Sequence, residues 1–408
     1  MTPDDLLQQG LEQYQSRQLE AALQSWQQAL SLYRTRQNLQ GEGAALGNLG
    51  AAYQLLGDLP QAIACFSQHL SISQQIPDTK GQANALGNLG NAYYALGDDA
   101  KAIEYYLQRL AIVRELRDRQ AEGQTLGNLG AAYYYLEEYT KAIEACTQQQ
   151  AIALELQDNR LRIAAVKNLR LAYTSLGNLT QAKDYQQQQI LIAREMLLAG
   201  SSDDFTNIAQ LVGLDPFEDL AGANLSQVNL TRCALRGADL HGADLSGTNL
   251  SFAELKNANL VYANLDGADL TFADLSRVNL SGANLEEACL INANLRDAIL
   301  VGTNFSRADL RTKMPRADLS GANLSRANLT SAYLPKANLS KADLSGAGLN
   351  DADMSGVNLH CANLKNAELK RTDFSGANVE NALFGAGIGL SQSMKVELKQ
   401  RGGIFEEG

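Results

Sequence analysis

At 408 residues and a net charge of −11, the chain is long enough for two or three domains, or for two elongated repeat blocks that need no single globular core. Residues 1–200 and 218–384 each carry only −4, a mild acidity that favours solubility and selects no particular partner. Five scattered cysteines without a C-x-x-C pair argue against a disulfide framework, the first residues carry acids where a leader needs bases, and no segment approaches 18 apolar residues. The expectation is a soluble, unsecreted, cytoplasmic protein.

The N-terminal half repeats every 40 residues. ALGNLGAAYQLLGD at 45–58 returns as ALGNLGNAYYALGD at 85–98, TLGNLGAAYYYLEE at 125–138 and, more loosely, VKNLRLAYTSLGN at 166–178. Gly10, Ala22 and Trp26 preserve an earlier copy of Gly50, Ala62 and Phe66, which makes five units. Leu46, Leu49, Ala52, Tyr53 and Leu56 keep helical spacing, and a second apolar pattern such as Ala102, Ile103, Tyr106 and Leu110 follows a Gly-Asp stop and cap. Each unit is therefore a helical hairpin, with Gly50, Gly90 and Gly130 letting its helices approach closely.

This spaced set of Leu-Gly, Tyr, Gly and Ala resembles the tetratricopeptide repeat, in the long-helix variety of kinesin light chains and spindle-orientation adaptors. Arg17 and Glu137 depart from the turn glycine, and Arg170 from the packing glycine. Asn48, Asn88, Asn128 and Asn168 recur at 40-residue intervals on the first helix, which in the resembling family lines a concave groove. There an amide can bond a bound peptide's backbone through its donor and acceptor; alternatively the row is a structural ladder between repeats. Asn91, Gln54, Tyr94 and Tyr134 neighbour it. Lys and Arg are nearly absent from these positions, Lys167 and Arg170 excepted, which disfavours a clamp for a C-terminal carboxylate.

Residues 201–219 read as a linker and capping helix, with Phe205, Ile208, Leu211 and Val212 apolar, Ser202 or Asp203 as its cap, and an end near Gly213.

From 220 to 384 a large apolar residue returns every fifth position: Leu225, Leu230, Leu235 and on to Leu310, then Leu319 to Val379 and Phe384. Ala usually stands two places before it, as at Ala223, Ala238 and Ala243. Five suits neither a helix nor a flat strand, since successive Leu would point in different directions. All of them point inward only if the chain turns around a column of its own side chains, which predicts a solenoid with β-like rungs.

The literal motifs ADLSG, ANLSR and ADLTF resemble the pentapeptide-repeat family, which implies a right-handed quadrilateral β-helix of four pentapeptides per coil. The beat counts 33 inward positions, about eight coils. Between Leu310 and Leu319 the spacing is nine, which predicts a loop insertion at 311–316 on one face. Arg307, Arg311, Lys313 and Arg316 make that region basic, either as a patch for an acidic partner or as a solvated surface. Phe252 and Phe272, 20 apart, stack one coil apart as a docking strip or as a corner cover. Residues 385–408 read as a C-terminal cap, its helix starting at Ser391 and stopping at Gly402, with Ile404 and Phe405 tucking back.

His69, His241 and His360 are isolated, and no phosphate loop, metal motif or catalytic constellation appears, so no enzyme, metal or cofactor is expected. The expected role is a protein-protein interaction adaptor or scaffold, its helical groove holding a partner peptide or helix and its β-helix a rigid presenting surface, with no nucleic acid or membrane. The alternative is a DNA-mimicking regulator of an enzyme such as gyrase, which some pentapeptide-repeat proteins inhibit. The array's weak charge and basic region argue against it.

Overall fold

A computed structural model describes residues 1–200 and 204–406, in two compact units, Met1–Tyr185 and Gln186–Gly408. The first is an α-solenoid of hairpins: α1 (Pro3–Gln15), α2 (Leu19–Thr35), α3 (Leu39–Leu55), α4 (Leu59–Gln75), α5 (Thr79–Leu96), α6 (Asp99–Glu115), α7 (Arg119–Tyr135), α8 (Tyr139–Leu156) and α9 (Asn159–Ser175), followed by α10 (Leu179–Leu198).

Helix boundaries follow cap chemistry. Asp58 and Asp98 accept from the backbone N–H of Gln61 and Lys101 to start α4 and α6, and Asp78 and Asp118 do the same for α5 and α7. The turn glycines Gly57 and Gly97 sit at φ +80° and +83°, and Glu137 holds the same left-handed backbone at +60° without glycine's freedom. Glu137→Gly is therefore expected to raise stability by about 0.5–1 kcal/mol, read as a higher urea midpoint in far-UV dichroism.

Within each hairpin a glycine on the first helix faces a ring or thiol 16 residues on. A Cβ added at Gly50 would lie 2.4 Å from the Phe66 ring, at Gly90 2.4 Å from Tyr106, and at Gly130 2.2 Å from the Cys146 sulfur. At the next step Arg170 replaces the glycine and Gln186 the ring, and the units divide there, between Tyr185 and Gln186. The 40-residue spacing instead suggested a boundary at 200. The end of α10 belongs to the second unit, where Gln189 Nε2 donates to the Val212 carbonyl (2.7 Å) and Gln186 Nε2 to that of Asp219 (2.9 Å).

The cap α11 (Phe205–Val212) closes the first coil, burying Phe205, Ile208 and Val212. Its N-cap is Asp204, which accepts from Asn207 N–H, and Gly213 ends it; Ser202 and Asp203 lie outside the described residues.

The β-helix then climbs in coils of four rungs, since backbone pairs join residues 20 apart, such as Asn224 with Asp244 and Asn264 with Asn284. Every inward Leu or Phe is essentially buried, and the Ala two before it is buried too. The polar residue between them runs in ladders: Asn284 Nδ2 donates to Asn264 Oδ1 (3.2 Å) and Asn304 Nδ2 to Asn284 Oδ1 (2.8 Å). These Asp and Asn side chains also accept from the N–H two residues on, as Asp244 does from Ser246 (3.1 Å), so they are structural turns and not merely solvated groups.

No loop leaves the solenoid at 311–316, which corrects the expectation of an insertion. Met314 is fully buried in the inward column, and Thr312 is buried in the place of the usual Ala. The stretch is a rung shortened to four residues, so its pairs are 19 apart, Asn294 with Lys313 and Asp309 with Asn328, before the interval of 20 resumes at Lys313 with Tyr333. A tighter turn closes it, with Thr312 N–H donating to the Leu310 carbonyl (2.8 Å), while the Thr312 hydroxyl donates to the Ala293 carbonyl.

At the other end α12 (Gln392–Gln400) starts at its cap Ser391 and turns Leu398 inward. Strand β2 (Ile404–Phe405) pairs parallel with β1 (Leu383–Gly385), and Phe405 stacks on Phe384 at 4.9 Å. No described helix is long and apolar enough to cross a membrane.

Candidate functional site

The first helices of the central hairpins place Asn48, Asn88, Asn91 and Asn128 on the lining of one open groove of about 610 Å³. All four are half-buried. Asn128 Nδ2 donates to Asn91 Oδ1 (3.0 Å), which also accepts from the Tyr106 hydroxyl (2.8 Å), so part of the row is tied between repeats. Gln54, Tyr94, Tyr134 and Asn168 lie outside this lining. The Asn168 side chain bonds the Cys146 thiol, which burial pushes up to about 12. Tyr134 OH meets Ser175 Oγ at 3.1 Å, and Tyr94 packs edge-on to Tyr135 at 5.8 Å, with burial pushing its hydroxyl up to about 12.

Two groove residues escaped the first-helix reading. His69 on α4 and Arg109 on α6 come from second helices and reach the groove beside Gly47 and Gly87. Burial pulls the titration of both below the ordinary range. Arg109 adds a second-helix cation to a groove whose first-helix positions nearly lack Lys and Arg. The signal was the first glycine of the LGNLG motif, which thins the first helix there.

On the β-helix, three of the four basic residues singled out by sequence are neutralised. Arg307 pairs with Glu286 and Glu287, Arg311 with Asp309 (2.7 Å) and Arg316 with Asp297 (2.7 Å). The hydrogen bonds from Arg311 and Arg316 hold the Asp309 and Asp297 carboxyls low. Lys313 lines an open depression with Lys256, Arg277, Arg296 and Arg316, to which Asp274 and Asp297 also contribute. Phe252 and Phe272 stack at 5.0 Å, about half exposed, with the Arg232 guanidinium 5.5 Å from the Phe252 ring.

His241 meets Asp239 at 3.0 Å, and His360 lies 3.5 Å from Glu380 and 3.3 Å from the Cys361 sulfur, so neither is isolated. Cys65, Cys146 and Cys233 are buried, while Cys361 is exposed. Among the described residues no group of His, Cys, Asp and Glu is arranged to hold a metal.

Family models match tetratricopeptide repeats at 41–115 and pentapeptide repeats in five overlapping or adjacent segments between 219 and 385. No curated protein matches the chain. The solved structures similar to it include HetL, a pentapeptide repeat protein involved in heterocyst differentiation regulation in the cyanobacterium Nostoc sp. It is 31% identical over 46% of this chain and 91% of HetL, with a TM-score of 0.22. A pentapeptide repeat protein of the Arabidopsis thaliana thylakoid lumen is 30% identical over 31% of this chain and 74% of its own, with a TM-score of 0.24. BtubC of P. vanneervenii is 18% identical over 48% of this chain and 80% of its own, with a TM-score of 0.43. The chain thus joins tetratricopeptide repeats at 41–115 to pentapeptide repeats at 219–385, two repeat families that suggest a protein-interaction repeat protein.

Proposed function

We propose that the helical unit captures an extended segment of a partner protein in its groove, and that the β-helix serves as a rigid surface that presents or spaces the captured partner. The observation that carries this reading is the run of half-buried asparagines from three successive first helices, Asn48, Asn88 and Asn128, on one open cavity. Each carboxamide offers one acceptor and two donors, which suits the alternating N–H and C=O of an extended main chain. The bond from Asn128 to Asn91 supports a structural share as well, so the test must separate the two.

Replacing Asn88 and Asn128 together by Ala is expected to weaken capture of a partner segment at least tenfold, with helix content by far-UV dichroism unchanged. Stability lost without any change in affinity is the outcome that would reduce the row to a ladder between repeats.

A further inference from the structure

The coil length of the β-helix assembles a nucleophile and a base on its surface. His360 and Cys361 follow the inward Leu359 at a corner, where Cys361 takes the left-handed backbone at φ +60°. Adjacent side chains of a flat strand leave on opposite faces, but this turn brings the pair together, with the Cys361 sulfur 3.3 Å from His360 Nε2. Glu380 stands 20 residues on, one coil along at the same register, and its carboxylate lies 3.5 Å from His360 Nδ1. The order is thiol, imidazole, carboxylate. A hydrogen on Nδ1 facing Glu380 leaves the lone pair on Nε2, aimed at the sulfur. Cys361 and Glu380 are exposed and His360 is half-buried, so the group is open to reagents. Exposure is unusual for a free cysteine: Cys65, Cys146 and Cys233 are buried, and Cys289 is half-buried.

Two features narrow the chemistry. Acyl transfer draws on free N–H donors for an oxyanion. Here the N–H groups of His360, Cys361 and Ala362 are committed to Asn358 Oδ1 (3.2 Å), the Glu380 carbonyl (3.0 Å) and the Leu359 carbonyl (2.9 Å). Displacement at sulfur develops no oxyanion and needs only an accessible thiolate. Among the described residues, no second thiol stands near enough to expel a group bound to Cys361. Cys289 is half-buried and, along the backbone pairs 289–309, 309–328 and 328–348, more than three coils away. An adduct on Cys361 therefore persists until a free thiol from solution removes it.

We infer that Cys361 is a site of reversible thiolation by a small-molecule disulfide, with His360 as its base and Glu380 as the residue that positions His360. His360 Nε2 takes the thiol proton and the Cys361 sulfur attacks one sulfur of the disulfide. The sulfur–sulfur bond of the reagent breaks, a mixed disulfide forms on Cys361, and the other half leaves as a thiolate that the imidazolium can protonate. No further oxidant is required, because the disulfide is reduced as Cys361 is oxidised.

The test treats the reduced full chain with oxidised glutathione at neutral pH and follows adducts by intact mass and peptide mapping. A single adduct per chain is expected, located at Cys361, removed by dithiothreitol and absent from Cys361→Ser. His360→Ala should slow its formation about tenfold or more, and added imidazole should recover part of the rate. Glu380→Gln should slow it about threefold, with Glu380→Asp restoring the rate in part. Dichroism and the thermal midpoint check that each variant folds. Adducts spread over Cys289 and Cys361, an unchanged rate in His360→Ala, or a disulfide between two chains in place of the glutathione adduct would overturn the assignment.

Discussion

Replacing Met314 by Lys is expected to destabilise the β-helix by about 3–5 kcal/mol, the usual scale for an unpaired charge forced into a dry interior. Met314 is fully buried in a column of Leu and Phe, and its neighbours there offer no acceptor for an ammonium group. The adjacent Lys313 is exposed, so Lys313→Met should stay within about 0.5 kcal/mol. A looped-out insertion would make both changes neutral. Amide hydrogen exchange localised to the rungs around 290–340 distinguishes these outcomes, because a lost rung opens its neighbours through their shared backbone pairs, Asn294 with Lys313 and Lys313 with Tyr333.

Gly90→Val is expected to cost the helical unit about 3 kcal/mol. Its Cβ would lie 2.4–2.5 Å from two atoms of the Tyr106 ring, far inside contact distance, and the branched Cγ atoms would add to the clash. The ring has little room to yield, since Tyr106 is buried and its hydroxyl donates to Asn91 Oδ1. Gly97→Ala is the informative control. Position 97 has open space but sits at φ +83°, so it should lose only about 1 kcal/mol, from backbone strain alone. Equal losses at both positions, measured by urea unfolding, would contradict the close-packing account.

The two repeats differ in how much of them could be read in advance. The apolar beat of the β-helix reports its core directly, because every fifth residue points inward whatever surrounds it. The beat misled only where it broke. An interval of nine between Leu310 and Leu319 reads as one long loop or as four plus five, and the choice depends on whether Thr312 can replace Ala while its hydroxyl meets the Ala293 carbonyl. That carbonyl is on another coil. The basic residues were legible as a run along the chain, but apart from Asp309 beside Arg311 their carboxylate partners stand elsewhere: Asp297 lies 19 residues before Arg316 and Glu286 lies 21 before Arg307.

The groove shows the same division. Its asparagines were legible because they lie on one face of one helix in each repeat. His69 and Arg109 were not, because a second-helix residue reaches the groove only where the first helix lacks a side chain, and Gly47 and Gly87 had no evident partner in the sequence.

The amino-acid sequence by itself determined both solenoids, their repeat lengths, most of the cap residues and the identity of the buried column, since each follows from periodicity within a single turn of chain. The tertiary structure decided the shortened rung, the neutralisation of the basic run, the division between Tyr185 and Gln186 and the charged floor of the groove. Most of those depend on which residues meet across coils or hairpins, such as Thr312 with Ala293, Arg307 with Glu286 and Gly87 with Arg109, which are 19, 21 and 22 positions apart along the chain.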